Sequence, residues 1–235
     1  MNEIIRKRKS IRKFDMTALD ETTLEKVKSF VDSTKSLFTG IKYKIEFAVK
    51  TKGLFNIKAP HYLVFKSETK EGSYENIGFI GQQIDLFLTE SGLGSCWLGV
   101  AKEINGNGND KDTGLPHVIC MAFGKPAESL YRELSDFKRK PLDVISEGND
   151  ARIEAARLAP SGMNRQNWFF VADNGKIHCF RKKPDLISGL FFDKLESIDI
   201  GIAICHIAME SENFVFNKKD NAPIKKGFIY IGTVE

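Results

Sequence analysis

The residues that most often carry metal or nucleophilic chemistry are scarce here: 4 histidines and 4 cysteines among 235 residues. The cysteines Cys96, Cys120, Cys179 and Cys205 lie far apart, with no C-x-x-C pair and no metal-ligand spacing. Three of them sit in apolar runs, so they read as buried, reduced thiols, and the compartment as cytoplasmic. The histidines His61, His117, His178 and His206 are scattered at strand starts and on a helix, and no Ser-His-Asp or Cys-His set is expected. His206, among apolar neighbours, reads as a satisfied core residue. No uninterrupted apolar stretch approaches membrane-spanning length. The charged N-terminus leads into no apolar core, so no signal peptide is expected either.

Charge of one sign is also lacking. A net charge of +4 suits a phosphorylated ligand but is too small and dispersed to argue for nucleic acid. The densest basic run, Arg6 to Lys9 with Arg12 and Lys13, reads as a solvated helix end, a nucleic-acid arm or a phosphate clamp. It has no interleaved aromatics on which bases would stack, which weakens the second of these.

What is present is a soluble globular composition, 42% hydrophobic and 28% charged, enough for one large domain or two small ones. Periodicity and capping residues predict a short helix over Met1–Arg8, extended chain over Ser10–Phe14, and a helix from the cap Asp20 to about Phe38. Strands follow at Tyr43–Val49 and His61–Phe65, then a long helix over Tyr74–Glu90 stopped by Gly92. Asn105–Gly114 is a polar loop, Val118–Phe123 a buried strand, and Leu130–Lys138 reads as polar and poorly ordered. A boundary near Gly148 divides the chain into 1–148 and 149–235. Beyond it come a helix Ala151–Leu158, a hairpin about Asn174-Gly175, a helix from Ile198 to about Asn213, and a last strand Gly227–Gly232. Asn76-Ile77-Gly78 recurs as Asp199-Ile200-Gly201 at a constant offset of 123 residues (76 to 199, 78 to 201). In that register His61–Phe65 answers to Phe169–Asp173 and Val118–Phe123 to Phe228–Gly232, as in a degenerate tandem duplication.

The chain is organised around Ala159–Trp168, A-P-S-G-M-N-R-Q-N-W. Pro160 ends the preceding helix, Ser161 and Gly162 permit a tight turn, and Asn164 and Gln166 offer amides to the edge of a flat heterocycle. Taken alone this is an ordinary polar turn. It resembles, however, the A-P-S-x-x-N-x-Q-P-W-x-F signature of the nitroreductase family of FMN-dependent oxidoreductases, with Asn167 in place of the second proline. Three further segments are similar to that family's pattern. Arg8-Lys9-Ser10-Ile11-Arg12 matches R-x-S-x-R, Gly92–Gly99 matches the G-L-G-S-C-W-x-G turn, and Arg139-Lys140-Pro141-Leu142 matches R-K-P-L.

The resemblance implies an α+β fold with a mostly antiparallel central sheet and surrounding helices, here as two degenerate repeats in one chain. It also implies an FMN site of Arg8, Lys9, Ser10, Arg12, Leu98, Gly99, Arg139, Pro160, Ser161, Asn164 and Gln166. Arg8 and Arg139 would hold the phosphate and Arg12 the N1/O2 side of the reduced ring; the glycine turn would let the backbone approach the ring's middle. Family members are homodimers in which one subunit lends the A-P-S-x-x-N loop to the other's site. Here the first half carries every motif except that loop, and only the second half carries the loop. The chain therefore resembles a fused pseudo-dimer similar to the TM nitroreductase subfamily, with one complete site. The expectation is a monomer or weak homo-oligomer passing hydride from NAD(P)H to a small acceptor such as a nitroaromatic or quinone. No nucleic-acid or membrane partner is expected. A flavin-binding protein without turnover is the alternative. Phe191-Phe192 and Asn105–Gly114 are the two candidate covers for the site.

Overall fold

The computed structural model describes residues 2–53, 57–103, 113–184 and 189–235. Most of the Asn105–Gly114 loop lies outside these residues, as does the side chain of Phe191. The first half runs α1 (Glu3–Lys7), α2 (Glu21–Ser33), β1 (Tyr43–Ala48), β2 (Thr51–Lys52), β3 (His61–Ser67), α3 (Ser73–Glu90), β4 (Gly94–Leu98), β5 (Lys102–Glu103) and β6 (His117–Gly124). The rest runs α4 (Leu142–Ile145), β7 (Ser146–Glu147), α5 (Arg152–Leu158), β8 (Trp168–Asp173), β9 (Lys176–Lys182), α6 (Gly189–Ala208), β10 (Phe216–Asn217) and β11 (Phe228–Val234). Among the described residues no helix is long and apolar enough to cross a membrane. All four cysteines are buried, and none is in a disulfide among the described residues.

Two main sheets take the place of the single central sheet expected. The first has the order β1-β3-β6-β4 and the second β10-β11-β9-β8-β7, while β2 and β5 pair separately. Among the described residues every strand pairing is antiparallel except β7 with β8. Both sheets are built alike: a hairpin (β1/β3, β8/β9), a long helix (α3, α6), then two strands of which the later pairs with the hairpin's second strand. By place in the sheet, His61–Phe65 therefore corresponds to β9 rather than to Phe169–Asp173. The Asn174-Gly175 turn is as expected, with φ of 47° and 76°, the left-handed pair that matches the twist of a hairpin.

The first sheet is covered on both faces, which is why every residue of β3 is buried. Leu63 and Phe65 join the main core with α3 and α6. Tyr62 and Val64 join a second cluster beneath Ile11 and Phe14 of the extended N-terminal segment. α3 and α6 cross in direct backbone contact. A Cβ on Gly78 would lie 2.0 Å from the Ile198 carbonyl oxygen, and one on Gly201 would lie 2.0 Å from that of Glu75. Only glycine allows helices this close.

Five local expectations need correcting, most of them because a partner distant in sequence overrides the local pattern. α2 stops at Ser33, not Phe38: Thr34 Oγ1 turns back to the Val31 carbonyl (2.7 Å), and Leu37 and Phe38 donate their N–H groups to Asn76 Oδ1 (2.8 and 3.2 Å). α6 begins at Gly189, well before Ile198, because the acids that interrupt its apolar pattern are satisfied from outside: Asp193 by Arg181, Glu196 by Arg165 and Asp199 by Gly162. It ends at Ala208, not Asn213, where tighter turns from Ile207 and Ala208 close it. Gly94–Leu98 is a strand paired with β6 rather than part of a turn. Leu130–Lys138 is ordered: Arg132 donates to the carbonyls of Lys7 and Arg8 and stacks 3.6 Å over the Phe137 ring.

Replacing Gly78 or Gly201 with alanine is expected to destabilise the protein by about 3 kcal/mol each, since neither backbone can retreat without unseating its sheet. Chemical denaturation measures this; a loss below about 1 kcal/mol would mean that the helices slide apart freely.

Candidate functional site

The N-terminal segment is laid along the first sheet by the Ile11 N–H bond to the Ser95 carbonyl (2.8 Å). Gly94 makes room for it, since a Cβ there would strike the Ile11 side chain at 2.7 Å. That is the packing reason for this glycine. Gly92 has φ of 78° and serves as the helix stop. Against this segment the fold brings 136–139 from the tail of the first half and the loop after α5.

Together they line a cavity of about 590 Å³. Of the residues expected in a site, Arg8, Lys9, Ser10, Arg12, Arg139, Pro160, Ser161 and Asn164 all line it. Three do not. Leu98 is buried in the second apolar cluster, Gly99 faces Leu195 (3.2 Å), and Gln166 is 3% exposed and engaged within the loop. Six cations stand there against two carboxylates: Arg8, Lys9, Arg12, Arg132, Lys138 and Arg139 against Glu128 and Asp136.

Arg8 is not free to act as a simple phosphate fork. Its Nε lies 2.8 Å from Asp85 Oδ2 with both side chains almost fully buried, and its NH2 reaches Ser10 Oγ at 3.0 Å. Asp85 also accepts from Ser95 Oγ and from Gln82 Nε2. Gln82 lies 3.1 Å from His206 Nε2, and His206 Nδ1 lies 2.9 Å from the Ala155 carbonyl. The acceptor at Ala155 puts the ring proton on Nδ1, and burial pushes His206 down to about 3, so the ring is neutral. It is the satisfied core histidine expected. The chain Arg8–Asp85–Gln82–His206 thus ties the N-terminal segment through both central helices to α5.

Arg139 spans the cavity wall. It donates to Asn164 Oδ1 (2.7 Å) and the Leu158 carbonyl (3.2 Å), while its Nε is buried without a hydrogen-bond partner among the described residues. Burial first, then the charges of Arg132, Arg8 and Arg157, lower it to about 9. Arg132 is lowered to about 10, by burial and then by Arg8. The cavity is short of negative charge.

The loop itself is unusual backbone. Met163, Asn164 and Gln166 all have φ near +50° (52°, 57° and 48°), a region non-glycine residues seldom occupy. Asn164 Nδ2 donates to the Lys138 carbonyl (2.8 Å), the Gln166 N–H to Ser161 Oγ (3.0 Å), and the Lys140 N–H to Gln166 Oε1 (2.7 Å). From α6, both carboxylate oxygens of Asp199 stand 3.0 Å from the Gly162 N–H. Burial, with Glu196 nearby, pushes Asp199 up to about 8. Asp85, Arg132, Lys138, Glu196 and Asp199 were not singled out as site residues from sequence. Only Asp199 carried a signal, as the residue that answers to Asn76 in the recurring triplet.

The model of the family described as "Putative TM nitroreductase" matches residues 1–211. The crystal structure of a Thermotoga maritima MSB8 protein of like description is 23% identical and covers 100% of this chain and 92% of its own, with a TM-score of 0.64. An FMN-dependent nitroreductase from Clostridium difficile R20291 is 21% identical over 57% of this chain and 93% of its own, with a TM-score of 0.44. No curated protein matches the chain.

Asp85→Ala would leave the Arg8 guanidinium buried and unpaired, an expected loss of about 3–5 kcal/mol in denaturant unfolding. For Asp199 the sign is equally definite. An ordinary aspartate loses its proton near 3.8 and the folded one near 8, so the folded state holds the extra proton between those values and stability falls as pH rises across them. Asp199→Asn should flatten that fall in a series of melting temperatures. An unchanged slope would mean the carboxyl is already ionised in the folded protein at neutral pH.

Proposed function

Because the chain belongs to the TM nitroreductase family, we propose that it is an FMN-dependent oxidoreductase that passes hydride from NAD(P)H to a small acceptor such as a nitroaromatic or quinone. The observation that carries this reading is the cationic cavity walled by Arg139 and Asn164. Its excess of guanidinium charge, the lowered Arg139 and Arg132, and the buried Arg139 Nε without a partner fit a dianionic phosphate, and its volume fits a cofactor-sized group. When bound, FMN would supply the hydride chemistry. Arg139, with Lys138, Lys9 and Arg132, would hold the phosphate. Arg8, engaged by Asp85, would orient Ser10 and the chain around it. Arg12, exposed on the cavity wall, would stand as the cation for the ring's N1/O2 side. Asn164 and the backbone of Pro160–Asn164 would close the site from the second half.

One site per chain follows from reading the fold as a tandem duplication. Two crossed contacts support it: Gly78 meets residue 198, Gly201 meets residue 75, and both pairs are related by the 123-residue offset of the repeated triplet. Asn76 and Asp199, related by the same offset, each accept N–H groups from the loop ahead of their own hairpin. In the second half, where the first has its glycine turn, Phe214 and Phe216 stack on Phe79 and meet Phe38 edge-on, at 5.5 and 5.6 Å between ring centroids. The internal pairing supports a monomer, or a weak homo-oligomer, as the working unit.

The test is flavin released per chain on denaturation, with the visible spectrum followed as NADH or NADPH is added. About one FMN per chain, bleached by either nucleotide, is expected. Two per chain would overturn the single site, and flavin that no nucleotide bleaches would make this a flavin-binding protein without turnover. Arg139→Ala should weaken FMN about 10- to 100-fold, the range for a charge-assisted hydrogen bond.

A further inference from the structure

We propose that Asp199, backed by Glu196, is the positioning residue that holds Pro160–Gln166 in its binding shape, by accepting the Gly162 N–H from beneath the loop. The inference rests on the FMN reading of the cavity, but its first measurement does not.

The loop needs holding. Three of its residues, none of them glycine, have left-handed backbones, and a chain in that state relaxes unless its surroundings over-determine it. Its upper side faces the cavity, where Met163 is 81% exposed and Asn164 is exposed. Residues 138–140 hold Asn164 and Gln166, and the restraint on the start of the loop comes from its lower side, against α6. There Asp199, 6% exposed, sets both oxygens 3.0 Å from the Gly162 N–H. One turn earlier Glu196, 4% exposed, receives Arg165 NH2 at 3.1 Å and Asn167 Nδ2 at 2.6 Å. Two carboxylates on one helix face thus grip the loop at three points along its length. Neither lines the cavity.

The first half supplies an internal control. Asn76 does the same work on its own loop, accepting from Leu37 and Phe38 with one amide oxygen. An amide therefore suffices as the acceptor, and Asp199→Asn should keep the loop in place. The carboxyl adds a dependence on pH, because burial beneath the loop raises Asp199 to about 8 and the packed state holds its proton. Glu196 on its own helix and Arg165 on the loop are the charged groups facing it.

Hydrogen exchange of 159–167 in flavin-free protein, followed by FMN titration of the same samples, tests the assignment. Asp199→Ala should speed exchange in that segment and weaken FMN about tenfold, while Asp199→Asn should restore both to within about threefold at neutral pH. Wild-type protection and affinity after Asp199→Ala, or an Asp199→Asn as impaired as the alanine variant, overturns the proposal. Should Asp199→Ala not fold, the pH profile decides. Protection of the segment, corrected for intrinsic exchange, should fall as pH rises towards about 8 in the wild type, as the packed state gives up the Asp199 proton, and stay flat in Asp199→Asn; two matching profiles overturn the proposal. Wild-type protein that binds no FMN sinks the cofactor reading alone, since the exchange comparison stands without it.

Discussion

Everything in this molecule depends on two helices touching backbone to backbone. At Gly78 and Gly201 there is no room for a methyl group between α3 and α6. That contact fixes their separation, and each helix carries one sheet on its outer side. With the separation fixed, the segments that line the cavity arrive within reach of one another although they come from residues 8–12, 128–139 and 160–164. The crossing also explains why the interior is nearly continuous: one cluster takes in both helices and the inner faces of both sheets.

Polar groups then fix what packing leaves loose. A buried carboxylate–guanidinium pair is a weak source of stability, because desolvating two ions costs about what their attraction returns, but it is intolerant of error. Arg8–Asp85 belongs in that class. It holds the N-terminal segment in one register against α3 and continues through Gln82 and His206 to α5. The N-terminal segment and α5 are thereby tied to the same pair of central helices. The parallel β7–β8 pair works in the same sense, since the strand just before Gly148 is laid beside one just after the loop. Gly148, with φ of 76°, makes that passage against the Ala172 carbonyl.

Where sequence reading succeeded, the deciding forces were local. Asn174-Gly175 announces its hairpin because both residues tolerate positive φ. Gly92 announces a helix stop for the same reason. Pro160 marks the end of α5 through its own ring. Where the reading failed, an acceptor or donor far along the chain decided. Thr34–Phe38 has nothing against helix until Asn76 claims its N–H groups. The start of α6 looks too acidic for a buried helix until Arg181, Arg165 and Gly162 meet its acids. Leu130–Lys138 looks like loose polar chain until Arg132 is seen stacked on Phe137.

The site divides along the same line. Arg8, Ser10, Arg12, Arg139, Pro160, Ser161 and Asn164 were legible because motif and residue type announce them, and the cavity gathers them. Leu98, Gly99 and Gln166 were named from the same motifs and are not among the residues that line the cavity. By itself the sequence determined the family resemblance and where its motifs fall along the chain, since those facts reside in residue identity and order. Only the tertiary structure decided that Arg8 is held by Asp85, that cations outnumber carboxylates around the cavity, and that Asp199 accepts the Gly162 N–H. Those are facts of distance and burial between residues that the chain order keeps far apart.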